Sequence, residues 1–456
     1  MSNFIVYDLE TTGKDERNFI QAIQIGSIYL DTNLNEISRY DISCRPLPWT
    51  LVTPDSLLVN NKFNVFEEPL NHYEFTKSIF EKWTEWTSSS SSIFVTYNGM
   101  FFDEEILRRQ FYWNLFNPYI TNTNGNSRLD LLPKMYVIAK FYDDLIHTPI
   151  NNGKPSFKLE YFAKSLNLDT SNAHDALGDC LFLEALLKEI KLKIPNFYQE
   201  IISTTKKQDL IESLSNGKMH FHVSRYGNSF PFVCLSSEGN GSKLPIFNLN
   251  HDPEMINQLS YEDLQKHLLS SSTAIKWINT AKTLPIISID TLKSDNVFID
   301  DLQIYFDRAK QLKSMDNLFE KICDIELSKD PIVYPCEYPE ERIYSDGFPD
   351  KLLSNKFENF HSSKSVDEMT DLVNKIDDDK YKSFAKRICA LQFPNDVPES
   401  YLHECKKLIN QRFQKKGPWP DASENIKRAQ ELLKNELNSE KQEILHKLIK
   451  NISENM

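Results

Sequence analysis

A chain of 456 residues exceeds what one hydrophobic core organises, so two or three domains are expected. Its 40% hydrophobic and 26% charged residues are the balance of a soluble globular protein, which separates neither enzyme from scaffold. A formal net charge of −13 excludes a surface that is basic throughout, yet leaves room for one narrow cationic groove.

In chain order, the apolar run from Phe4 to Thr11 predicts a strand, and AIQIGSIYLD over 22–31 predicts a second after a Thr-Thr-Gly turn. The serine run at 88–92 has no side chain able to hold a core and reads as a flexible surface connection. IFVTYN over 93–98 predicts a third strand, and apolar periodicity near 104–116 and 176–192 predicts helices. Strands mixed with helices indicate an α/β layer structure over 1–194. After Pro195, helix-like sequence to about 215 gives way to KMHFHVSRYG, SFPFVCLSS and KLPIFNL, which predict a small β-rich domain within 195–342. From Ile343, helical periodicity with near-balanced charge over 364–392, 399–416 and 421–453 predicts a helical C-terminal domain, 343–456. The seven cysteines (44, 180, 234, 323, 336, 389 and 405) form no C-x-x-C pair or zinc-type cluster, which suits a reduced compartment. MSNFIVYDLE runs straight into a strand pattern and no run of eighteen apolar residues occurs, so a cytoplasmic location is expected.

Chemistry concentrates in the first two hundred residues. Asp8 and Glu10 in VYDLET are two apart, so on a strand both carboxylates leave the same face. Acids that close repel and resist desolvation, which asks for a compensating cation. Asp103 in YNGMFFDEE falls at the start of a predicted helix, where an acid also suits the helix dipole. In SNAHDALGD, His174 precedes Asp179 by five residues, a rotation of about 140° in a helix. The two would share no helix face, so His174 belongs in the preceding loop and Asp179 one turn inside. Each piece alone has a structural explanation: an exposed strand face, a capping acid, a lone His-Asp pair. Together, four carboxylates and a histidine are what two-metal phosphodiester hydrolysis requires. Mg²⁺ and Mn²⁺ prefer oxygen ligands, and an imidazole of ordinary pKa near 6.5 accepts a proton from attacking water at neutral pH.

On these residues, and on YNGMFFDEEILRRQFYWNLFNPY, NSRLDLLPKM and KPSFKLEYFAKSLNLDTSNAHDA, the sequence resembles the DEDD superfamily of 3′→5′ exonucleases in its histidine subtype. The resemblance implies a ribonuclease H-like exonuclease domain with a mixed sheet, an SH3-like β domain and a helical C-terminal domain. It implies a monomeric enzyme that hydrolyses single-stranded DNA to 5′-mononucleotides, in DNA repair and recombination. Asp8, Glu10, Asp103 and Asp179 would bind two Mg²⁺ ions, with Mn²⁺ able to substitute, and His174 would be the general base. Glu10, Lys158, Arg108 and Tyr119 would contact substrate, Lys158 standing where the family has an arginine. A single-stranded-DNA-binding protein would be a partner through its C-terminal tail. At CALQFP the chain departs from the family: Cys389 and Leu391 stand where arginines are expected, with Arg387 as a partial substitute. An RNA-processing exonuclease of the same superfamily, a polymerase proofreading exonuclease or an inactive single-strand-binding module remain alternatives at this point.

Overall fold

In the computed structural model, strand β1 (Asn3–Thr11) is the middle of a five-stranded sheet, and its burial on both faces explains its apolar run. The structure describes residues 2–15, 17–60, 62, 64–171, 173–237, 241–327, 336–436 and 438–456. β2 (Ala22–Leu30) and β3 (Glu36–Ser43) extend the sheet antiparallel on one side; β4 (Ser92–Thr96) and β5 (Ser127–Asp130) extend it parallel on the other, giving the order β3-β2-β1-β4-β5. This is a mixed sheet of the expected kind. The first domain's helices are α1 (Pro54–Asn60), α2 (His72–Thr87), α3 (Asp103–Trp113), α4 (Leu131–Phe141), α5 (Leu159–Ser165) and α6 (Ala176–Lys193), with a short hairpin of β6 (Ile150–Asn151) and β7 (Lys154–Pro155) before α5.

Strand alternation divides β1 between two cores. Phe4 and Val6 pack with Leu183 and Leu187 of α6, while Ile5, Tyr7 and Leu9 pack with Ile79 and Trp83 of α2 and Ile106 and Phe111 of α3. α2 starts on a capping box in which Asn71 and Glu74 satisfy each other's backbone amides. Its Trp83 is fully buried, with ring centroids 5.0 Å from Tyr7 and 4.9 Å from Phe94. The serine run is less free than its composition suggests: Ser90 accepts a hydrogen bond from Asn3 and Ser92 is already a buried residue of β4.

Beyond α6 come α7 (Pro195–Ser203) and α8 (Lys207–Ser215), then an antiparallel sheet of β8 (His220–Val223), β9 (Ser229–Cys234), β10 (Lys243–Asn248), β11 (Ile275–Asn279) and β12 (Ile286–Ser288) in the order β11-β10-β9-β8-β12. Its core is continuous with that of the first sheet, because Phe197, Tyr198 and Ile201 of α7 join Val6 and Leu187 to Phe221, Phe247 and Ile287. The C-terminal region is helical over Lys351–Ser362, Val366–Asn374, Asp379–Gln392, Glu399–Gln414, Ala422–Leu433 and Ser439–Asn455. Two stretches expected as single periodic segments are therefore broken, each where a side chain caps a new helix: Asp378 within 364–392 and Asn438 within 421–453. These helices wrap the first domain, Phe384 and Ile388 against Tyr112, and Ile444 and Leu448 against Phe19 and Leu57. Among the described residues no helix is long and apolar enough to cross a membrane.

Trp83 fills the space between sheet and α2 without any exposed atom to relax into solvent. Trp83→Ala should destabilise the first domain by about 3–5 kcal/mol, read as a lower urea midpoint of the far-ultraviolet circular dichroism transition; an unchanged midpoint would contradict this packing.

Candidate active site

The carboxylates expected from the sequence meet at the C-terminal end of β1. Asp8 and Glu10 continue the face of Phe4 and Val6, which is the face α6 covers. Asp8 lies opposite Gly26 in the β1–β2 register. A Cβ at Gly26 would come within 2.4 Å of the Leu177 backbone nitrogen and 2.5 Å of the Ala176 backbone carbon. Only glycine therefore lets the first turn of α6 reach the sheet, and that approach brings Asp179 to Asp8 and Glu10. One carboxylate oxygen from each of these three acids lies within 4.8 Å of the others.

Asp103 completes the group from the other side. Parallel pairing of β1 with β4 ends at Val6, and the Leu9 amide, between the two strand acids, donates to the Asp103 carboxylate. Asp103 is 6% exposed and begins α3. Gly99 in the preceding turn leaves its carboxylate room, since a Cβ there would sit 2.9 Å from Asp103 Oδ2. His174 lies in the loop before α6, as its five-residue spacing from Asp179 requires, with a left-handed φ of 65°. Its backbone amide donates to the Asp179 carboxylate, and its half-exposed ring places Nε2 3.9 Å from Glu160 Oε2.

Burial and mutual repulsion dominate the electrostatics. Burial, then the charges of Asp103, Asp179 and Glu10, raise the Asp8 pKa far above the ordinary carboxylate range. Burial, then Asp179 and Asp103, push Glu10 up to about 9, while burial raises Asp103 and Asp179 to about 7. Lys62 opposes this at Glu10, but its ammonium is already held 3.1 Å from Asp175 Oδ2. Asp175 caps α6 and would be raised by burial, yet hydrogen bonds from Gln24 and Lys62 hold it low. Four desolvated acids sharing so little cationic compensation fit a site for hard divalent cations, which take carboxylate oxygens.

The remaining expected residues are dispersed. Lys158 precedes α5 and lines a cleft with Asn98 and Tyr136. Arg108 is 8% exposed; its guanidinium is 2.9 Å from Glu104 Oε1 and stacks over the Tyr119 ring at 4.9 Å. Arg387, the partial substitute at CALQFP, is committed to the buried Glu340 at 2.8 Å, and Cys389 is buried. A groove of about 470 Å³ between the two sheets carries Arg128, Lys134, Lys206, Lys207 and Lys282 in its lining and no acid. Arg128 and Lys282 there are paired with Glu104 and Glu105 and Lys134 is buried, which leaves the exposed Lys206 and Lys207 to meet a polyanion.

Residues 5–187 match the family model described as Exonuclease, RNase_T. The first domain is an exonuclease-family domain. The chain is similar to exodeoxyribonuclease I of Buchnera aphidicola, at 27% identity over 355 residues covering 69% of this chain and 84% of the relative. It is also similar to exodeoxyribonuclease I of Escherichia coli, at 25% identity over 374 residues, 76% of this chain and 77% of the relative. The fold is that of E. coli exonuclease I solved in complex with a dA16 oligonucleotide, with a TM-score of 0.81 at 21% identity and all of both chains covered.

Gly26, Lys62 and Asp175 also shape this acidic cluster, and the sequence did not single them out. An isolated glycine within a strand pattern, and an aspartate just before an apolar helix, were signals for two of them.

Two outcomes follow from this geometry. Gly26→Ala should weaken binding of Mn²⁺, measured by titration calorimetry, by about 10–100-fold, because the ligands are set by this backbone approach. The second concerns pH. An acid with a raised folded pKa contributes stability fully present below its unfolded value near 4 and lost as pH rises through the folded one. In chelator, thermal stability should fall from about pH 4 towards the value of about 9 reached by Glu10. The Asp8→Asn, Asp179→Asn double variant should flatten that fall; identical slopes would refute the electrostatic account.

Proposed function

We propose that this chain is a 3′→5′ exonuclease that degrades single-stranded DNA to 5′-mononucleotides, with Asp8, Glu10, Asp103 and Asp179 as ligands of two Mg²⁺ ions. The observation that carries the reading is the convergence of these four acids, drawn from three separate elements, beside His174 in an exonuclease-family domain. Bound there, two divalent cations would neutralise the phosphodiester and favour charge on both the attacking and the leaving oxygen.

The chain's own groups supply the rest. His174 takes the proton from the attacking water as the oxygen–phosphorus bond forms, and Glu160 steadies the imidazolium that results. The bond from phosphorus to the 3′ oxygen of the penultimate nucleotide breaks, and that oxygen takes a proton from solvent water, giving a new 3′-hydroxyl and a free 5′-mononucleotide. The half-exposed ring of His174 returns its proton to solvent. Lys158 meets a phosphate as a point charge, without the paired donors of an arginine. Tyr119 offers a stacking face, and Arg108 supports that ring from behind rather than reaching a phosphate freely. The cationic groove between the sheets gives the remainder of the strand a path. The resemblance extends the reading to DNA repair and recombination, and to a single-stranded-DNA-binding protein as partner through its C-terminal tail.

End-labelled single-stranded DNA should lose mononucleotides from its 3′ end with Mg²⁺ and remain intact in EDTA. His174→Ala should slow release by about 10²–10⁴-fold while leaving the circular dichroism spectrum unchanged. Release from the 5′ end, or full activity in EDTA, would overturn the proposal, and faster digestion of a matched RNA would move the substrate to RNA.

A further inference from the structure

Glu105, two residues after Asp103 on α3, is where three parts of the chain meet. Its Oε2 accepts hydrogen bonds from the Tyr344 hydroxyl at 2.7 Å and from Arg109 Nη1 at 2.9 Å. Its Oε1 faces Lys282 Nζ at 3.4 Å and Arg108 Nη1 at 3.9 Å. Tyr344 belongs to the segment leading into the C-terminal helices, and Lys282 to the loop between β11 and β12. One carboxylate on the helix that begins with Asp103 thus holds both of the regions that follow the first domain.

The neighbouring contacts strengthen this reading. Lys282 also donates to the Met100 carbonyl. The Thr283 amide and hydroxyl approach Met100 Sδ at 3.2 and 3.3 Å, and the Asp130 amide donates to Thr283 Oγ1 at 2.9 Å. Asp130 in turn accepts from the amides of Asn98 and Met100, so the middle region grips the turn from which Asp103 emerges. The Tyr344 ring lies beneath Arg109 at 5.5 Å, yet the residue remains 52% exposed. Its contact with Glu105 is therefore a closure at the surface that can open without unpacking a core.

We propose that Glu105 is a positioning residue: a latch that holds the middle β region and the C-terminal region against α3, keeping a single strand enclosed from one hydrolytic cycle to the next. This rests on the exonuclease reading above. Charge-assisted hydrogen bonds hold the latch, so neutralising the carboxylate or removing one hydroxyl loosens it without altering the acids around the divalent-cation site.

The test uses the full chain with Glu105→Gln, Tyr344→Phe and the double variant. Nucleotides removed per binding event, measured on a long single strand with excess unlabelled DNA as trap, should fall about fivefold in each single variant, the order expected from losing one such bond. Hydrolysis of a trinucleotide, too short to need enclosure, should stay within about twofold of wild type, and the double variant should be no worse than the singles. Unchanged run lengths would overturn the latch. So would a parallel loss on the trinucleotide, which would place Glu105 in the shaping of the cation site. Hydrogen–deuterium exchange on the DNA-free protein keeps this separate from the activity itself. If wild type leaves DNA intact, the exonuclease reading fails, and unchanged exchange over 280–284 and 342–347 in Glu105→Gln would sink the latch as well.

Discussion

Four carboxylates share the space between the end of β1 and the first turn of α6, and the fold has to hold them together against their own repulsion. Backbone geometry does this at every point. Strand periodicity aligns Asp8 with Glu10, the Leu9 amide fixes Asp103, the His174 amide fixes Asp179, and Gly26 removes the one side chain that would keep α6 away. None of these devices supplies a full positive charge. The folded chain therefore carries an electrostatic debt that protons or divalent cations relieve, which links cation binding to stability.

The same domain contains acids treated in the opposite way, and the contrast separates a cluster without its own counter-charge from a structural ion-pair network. Glu104 is more deeply buried than Asp103, at 1% exposure, yet Arg108 and Arg128 flank it, and Thr121 and Tyr7 donate to it. Burial alone would raise its pKa, but those partners hold it below the ordinary value. Burial would likewise raise Glu105, and Tyr344 and Arg109 bring it down to about 2. Depth inside the protein is thus common to both classes, and what differs is whether the chain itself provides the counter-charge. Glu340 follows the structural pattern in the C-terminal region, bonded to both Arg387 and Arg412.

Much of the site was legible in the sequence because its logic is local. A two-residue spacing on an apolar strand and a five-residue spacing across a helix start dictate where Asp8, Glu10, His174 and Asp179 can point. The strands at 4–11 and 22–31 and the helices near 104–116 and 176–192 were legible for the same reason, since long apolar patterns with a clear period leave few alternatives. Residues whose roles depend on distant partners were not. Gly26 matters because of Ala176 and Leu177, and Arg108 is tied up by Glu104, which nothing in the sequence singles out. β3 is exposed along much of its length, and β5 has only four residues, so neither carries a strong pattern. The breaks at Asp378 and Asn438 were hidden because helical periodicity resumes on both sides of each cap.

The first turn of α3 shows how closely these roles are packed. Asp103, Glu104 and Glu105 are consecutive, and each step along a helix turns by about 100°, so three neighbouring acids leave the axis in three directions. One faces the cluster of Asp8, Glu10 and Asp179, one enters the buried arginine network, and one reaches the other two regions of the chain. As a sequence, DEE is an ordinary helix start, stabilised by the dipole whichever acid stands first. In the fold the order is not interchangeable, because each acid meets different partners. Moving the register by a single residue would turn Glu104 away from its two arginines towards the acidic cluster and leave Tyr344 and Lys282 without their shared carboxylate. The short acidic run therefore couples the geometry of the acidic cluster to the cohesion of the chain's three regions through one rigid element.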